Sequence, residues 1–434
     1  MRRGVWTASR VGVTALAVSW VWAAPVMAQD AAPVKGAGKG DAAPAEAKEV
    51  LTVMLRAGDA RRAGWERAGV ESLSAAGVTI RQRDADGKMA ATVIGWDRVG
   101  SIEGAAAGTE RAASITTWLE GGQDLWRARE RLERGDVPGA EPLFERVMPM
   151  FAREEGPTAA IASAGLVRCR LARGVQTLAL EPWLVWVGSG VPISELFARS
   201  EDREALERGL EFDAELGLVS SLPPIWQKTP AVQALARGET LSEVSHLSED
   251  AGPARRRASR LAGLYLAAAR GECGLEVGDL SLLLRIEGND PGLSLVSSLV
   301  AARLGDESTR AKARSELRGM IEARSGGWVE AWVRVGIGRS LLLEPDEESR
   351  LMGIAELLHV PARLERHSAA LTALALAEAS AALEAMGDSA GAAKLKQELV
   401  VRYPNSSSTD WLLARGTASD VPAKAPAGVK GEGP

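Results

Sequence analysis

The sequence predicts a mainly α protein: a long array of helix pairs, preceded by a small β-barrel-like module. Three observations carry this. Ala, Leu, Glu and Arg dominate the 434 residues and aromatics are 4%, without the Ile-Val-Thr-Tyr enrichment of a large all-β chain. From Ile115 onward, apolar residues recur at three- and four-residue steps between glycine breaks, which is the helical period. Between Glu49 and Gly104 the period is two, which is that of half-buried strands. The length exceeds a single hydrophobic core and fits two domains or a repeat array.

Residues 1–28 read as a secretory signal peptide. Arg2 and Arg3 form a basic start, Val11 to Val21 an apolar core, and Val26-Met27-Ala28 a small-residue cleavage site, so cleavage is expected after Ala28. The apolar run is shorter than the roughly 20 residues that cross a bilayer. No Cys follows the cleavage site, so the mature chain is not expected to be a lipoprotein, and it carries no transmembrane segment. The leader holds Arg2, Arg3 and Arg10, so its removal leaves 49 basic against 57 acidic residues, a net charge of −8. That balance gives no footprint for nucleic acid.

Residues 29–48 are Ala, Pro, Gly and charge without an apolar period, a disordered linker by composition. Within it, Gly36 to Asp41 (GAGKGD) looks like half a phosphate loop, but Gly40 stands where a metal-holding hydroxyl belongs and no strand precedes it. No cofactor is expected.

In residues 49–104 five short strands are expected. Val78, Ile80 and Gln82 alternate with Thr79 and Arg81, and Asp86-Gly87 offers a hairpin turn. This layout resembles SH3-like or Sm-like small barrels, a pattern shared by binding modules of many functions. Trp65 and Trp96 have two readings: an exposed aromatic groove for a peptide, or closure of a small core. The scarcity of other large side chains there favours the second.

Residues 109–416 are expected to form a solenoid. Helices Ile115 to Arg134 and Pro138 to Arg153 pair around Gly135, and Thr158 to Arg173 and Val175 to Val187 around Gly174. Gly238, Gly271 and Gly305 are spaced 33 and 34 apart as further turn glycines. Leu293 to Leu304 with Ser308 to Arg324, and Val329 to Leu343 with Asp346 to His359, follow. The clearest pair runs from Leu371 to Pro404, broken at Gly387, with Asp388 as N-cap and Lys394, Glu398 and Arg402 as an i, i+4 ladder. Ser380, Gly387, Ala392 and Pro404 stand at spacings that resemble the tetratricopeptide repeat (TPR), a unit of about 34 residues. Lys396 stands where that repeat commonly has an aromatic. The Arg402 to Ser406 ending, RYPNS, is similar to repeats of bacterial envelope proteins. Short helices of this kind are stable only by stacking.

The middle, 188–252, holds a charged helix from Asp202 to Leu216 and the run Ser220 to Pro230, SSLPPIWQKTP. Trp226 reads as a proline-rich ligand element or, more simply, as an anchor for a connector. Trp183 and Trp186 share a helix face and read either as lining a concave peptide surface or as core, the apolar residues between them favouring core. Residues 417–434 read as a disordered tail.

Catalytic patterns are sparse. Only His246, His359 and His367 are present, with no H-E-x-x-H, and no G-x-S-x-G occurs. Glu344, Asp346, Glu347 and Glu348 pose as paired carboxylates for glycoside cleavage, but after Pro345 they suit a helix first turn. Cys169 and Cys273, the only cysteines, are expected as buried thiols. The sequence therefore points to a non-enzymatic protein-binding scaffold or adaptor of the bacterial periplasm or cell envelope. Its partners are proteins, and Trp65, Trp96, Trp183, Trp186 and Trp226 are the candidate contacts. The rival expectation is an envelope hydrolase or glycan-binding protein whose site residues are dispersed along the chain.

Overall fold

The computed structural model describes residues 51–56, 65–83, 88–104, 108–192, 212–241, 252–286 and 288–419. The signal peptide, the linker with its GAGKGD run, the Asp86-Gly87 turn and His246 lie outside these residues. The described residues all belong to one contact unit, Glu49–Pro434.

Five antiparallel strands come first: β1 (Thr52–Arg56), β2 (Trp65–Ser74), β3 (Gly77–Arg83), β4 (Met89–Ile94) and β5 (Val99–Glu103), in the order β4-β3-β2-β1-β5. Alternation sends Val53, Leu55, Val78 and Ile80 inward, each at most 5% exposed. The register slips between Val70 and Ser72 on β2 and between Met54 and Leu55 on β1. Such irregularities bend a strand and let a small sheet curl.

A 3-10 turn, Trp96–Arg98, joins β4 to β5 and fastens the sheet to the helices. The Trp96 indole N–H donates to Ser74 O at 2.9 Å and its backbone N–H to Thr158 Oγ1 at 3.1 Å. The Thr158 hydroxyl in turn donates to Ala76 O at 2.8 Å. Beside it the buried Asp97 carboxylate lies 3.3 Å from Arg129. Trp96 packs on Trp118 with ring centroids 5.4 Å apart. Burying a side chain of this size stabilises by about 3 kcal/mol, and the sheet and helices share one core.

Fourteen helices follow among the described residues. They are α1 (Glu110–Glu133), α2 (Val137–Phe151), α3 (Pro157–Ala172), α4 (Gln176–Gly188), α5 (Pro230–Ala236), α6 (Pro253–Cys273) and α7 (Leu280–Leu283). The rest are α8 (Pro291–Leu304), α9 (Glu307–Ala323), α10 (Trp328–Leu341), α11 (Glu347–His359), α12 (Ala369–Ala385), α13 (Ser389–Arg402) and α14 (Ser407–Ser419). Antiparallel neighbours pack as α1/α2, α3/α4, α8/α9, α10/α11 and α12/α13, and α6 bridges α4 to α8. The first helices α3, α8, α10 and α12 are buried on nearly all sides. The second helices α9, α11 and α13 bury only a stripe, such as Ala313 and Leu317 or Ala392 and Leu399. An inner and an outer layer result, as helix pairs must stack to bury their apolar faces.

The punctuation is physical. Asp136, Asp290, Asp306, Asp346 and Asp388 each accept a hydrogen bond from the backbone N–H three residues on, a cap worth about 1 kcal/mol. Gly135, Gly174 and Gly387 turn between paired helices at φ 79, 74 and 90°, where a side chain is disfavoured. Gly271 differs from expectation. It lies inside α6, where a Cβ would come within 2.2 Å of Leu304 Cδ2, so its place is a close contact with α8 rather than a turn. Two more expectations need correction. The helix foreseen for Asp202 to Leu216 does not include 212–216, which form a short strand and turn. The chain remains helical to Ser419, past the start expected for the tail.

Candidate partner-binding cleft

Four of the five candidate tryptophans are core residues. Trp96 and Trp183 are fully buried, Trp186 is 3% exposed and Trp226 6%. Trp65 starts β2, and its side chain lies outside the described residues. Trp183 and Trp226 both pack on the buried Tyr265, with centroids 5.4 and 6.2 Å away, and Trp186 packs on Phe212 at 5.1 Å. Trp183 and Trp186 lie on a helix that is apolar nearly all round, and burial leaves none of the four rings as an exposed contact.

Trp226 belongs to a strap, Phe212 to Leu241, that runs along the inner layer. The Trp332 indole N–H donates to Ser220 O at 2.9 Å, the Tyr265 hydroxyl to Leu222 O, and Arg339 Nη2 to Trp226 O at 2.8 Å. Arg257 reaches Leu216 O at 2.7 Å, Arg270 reaches Ala236 O at 3.1 Å, and Arg324 pairs with Asp213 at 3.0 Å. Irregular backbone needs partners when buried, and side chains of α6 and α10 supply them. The inner face over these helices is therefore filled by the chain itself.

A buried charge network lies alongside. Arg339 is 4% exposed. It pairs with Glu272 at 2.9 Å and Glu378 at 3.0 Å, while Arg303 pairs with Glu272 at 2.7 Å. Burial alone would raise the Glu272 carboxyl and lower the Arg339 guanidinium; mutual attraction outweighs it, holding Glu272 below the usual carboxylate range and Arg339 above its own. The acidic cluster resolves in the same spirit. Glu344 pairs with Arg314 at 2.7 Å, Asp346 caps α11, and Glu347 and Glu348 occupy its first turn. His359 lies 3.5 Å from Glu330. Among the described residues no group of three metal-ligating side chains forms. Both cysteines are free; Cys169 is buried as expected, whereas Cys273, near the end of α6, is only half-buried, and burial, then Glu141, pushes the Cys169 thiol up to about 12.

Among the described residues the outer layer is interrupted after α6. Between α6 and α8, where every other pair supplies a second helix, the chain forms only the single turn α7. Beside this gap lies an open cleft of about 320 Å³. Its wall on α8 is Ser294, Ser297, Ser298 and Ala301, spaced i, i+3, i+4, i+7, one helix face. The Ser298 hydroxyl donates to Glu316 Oε2 on α9 at 2.8 Å, and Lys312 lies 3.8 Å from Glu316. Leu284 and Ile286 close the cleft from the α7 side, and Leu282 next to it is 56% exposed. Hydroxyls, a rim ion pair and an apolar wall suit a partner's side chain. Sequence reasoning missed this cleft, although one signal for it exists: a row of small residues on an otherwise apolar α8.

No described helix is long and apolar enough to cross a membrane. Comparison with known proteins gives no match: no family model, curated protein or solved structure is significantly similar to the chain.

Proposed function

We propose that this protein is a non-enzymatic scaffold or adaptor that binds other proteins in the bacterial periplasm or cell envelope. In this reading the helix pairs are a TPR-like solenoid and the five-stranded antiparallel sheet is an SH3-like or Sm-like module. The observation that carries the reading is the gap in the outer layer, where a cleft of about 320 Å³ opens beside an exposed Leu282. Stacked repeats bind partners through such extended relief. With the inner face occupied by the strap, the outer cleft is the surface the reading assigns to a partner. The compartment in this reading rests on the secretory leader expected from residues 1–28.

The test is affinity capture from an envelope extract with residues 29–434, beside the Ala301→Trp protein, whose indole fills the cleft. One or two proteins retained by the first and lost from the second support the reading. Retention that is the same for both, or absent from both, removes the cleft as a partner site.

A further inference from the structure

Among the described residues β4 and β5 are the two edge strands of the sheet: β4 pairs with β3 on one side, and no described strand pairs with its other side. β5 packs against α1, and β4 makes a smaller contact with α3. Edge strands are ordinarily blunted by charge, proline, a bulge or a cover, because their free N–H and C=O groups template further pairing. β4, with the sequence MAATVI, has no charge or proline, and its register with β3 is unbroken from Val78↔Ile94 to Arg83↔Met89. On its outer face Met89 is 56% and Val93 45% exposed, with the exposed Ala91 between them.

We propose that β4 pairs antiparallel with β4 of a second copy of this chain, about a two-fold axis through Ala91. Opposed residues in an antiparallel pair share a face, so the register must match Met89, Ala91 and Val93 with one another. With Ala91 opposite Ala91 of the second copy, Met89 falls opposite Val93 and Ala90 opposite Thr92. Both exposed apolar side chains are then covered twice over, and the smallest residue sits where the axis is most crowded. A shift of two residues either way leaves a Met or a Val uncovered. This self-complementarity is what an isologous contact requires. Six-residue strands bury well under the roughly 1,000 Å² of a stable interface, so the dimer is weak and concentration-dependent. The inference stands apart from the scaffold reading.

The experiment uses the mature chain carrying Cys273→Ser, which leaves only the buried Cys169. Ala91→Cys and Val93→Cys are introduced separately and treated with diamide as oxidant. Opposed Cα atoms lie about 4.5–5.5 Å apart, within disulfide reach, whereas two copies of position 93 would be about 14 Å apart at roughly 3.4 Å per residue. A covalent dimer from the Ala91→Cys protein, at least tenfold over that from Val93→Cys, is expected. Sedimentation velocity of the unsubstituted chain should show a dimer that grows with concentration and is lost on Ala91→Lys. Equal cross-linking at both positions overturns the proposal. So does a chain that stays monomeric at several hundred micromolar, whether or not it takes up an added extended peptide.

Discussion

Arg339 ties together three parts of the chain that lie far apart in sequence. Its guanidinium meets Glu272 on α6, Glu378 on α12 and the Trp226 carbonyl of the strap. Removing one member of a buried ion pair leaves charge without compensation, at a cost of about 3–5 kcal/mol. Arg339→Met should therefore lower the unfolding free energy by about that much in urea at pH 7; a loss under about 1 kcal/mol would show the network to be energetically idle. The Glu272 carboxyl is depressed in the folded chain. Its contribution is thus present above about pH 4.3, the ordinary Glu value, and is lost as pH falls through the lower folded value. The gap between the two proteins should narrow in that acid range. None of this was legible in the sequence, because Glu272, Arg303, Arg339 and Glu378 are scattered singly and only stacking brings them together.

Helix ends are legible in the sequence to within a few residues, since Asp caps and left-handed glycines act locally and leave local traces. Glycines whose role is a close approach are not, and Gly122 is the clearest instance. A Cβ at Gly122 would stand 2.4 Å from the Trp96 carbonyl oxygen, a backbone atom that moves only with the sheet. Gly122→Ala should cost about 1–3 kcal/mol through overpacking, despite the gain of about 1 kcal/mol that Ala brings to a helix. Gly319 is exposed on α9, and an added methyl there would meet nothing within 4 Å, so the same change should stabilise. Thermal unfolding of the two variants checks this, and a shift of the same sign in both would refute the packing account. The same ambiguity hid α6, where Gly271 looks like a turn and is a contact.

At the scale of the molecule, the period-two and helical stretches were separable in sequence, but their fusion was not. Trp96 and Thr158 stand 62 positions apart and join sheet to stack through one hydrogen bond and a shared core. The sheet and α3 should then lose structure together. In a urea titration followed by hydrogen exchange, segments covering β3 and α3 are expected to lose protection at the same midpoint; midpoints separated by more than about 0.5 M, given slopes of a few kcal/mol/M, would make the sheet an independent domain. The gap beside the cleft, too, needed three dimensions: the 17 residues 274–290 are long enough for another outer helix, and only the fold shows that they form the single turn α7.

The strap has a mechanical consequence. A bare stack of helix pairs deforms like a spring, since each pair touches only its neighbours and small rotations add along its length. Here a continuous segment is riveted to α6 by Arg257, Tyr265 and Arg270 and to α10 by Trp332 and Arg339. Twisting those helices past one another would shear all five bonds at once. The described helices that the strap spans, α6 to α10, are therefore splinted against one another, and bending is expected chiefly between helix pairs that it does not bridge.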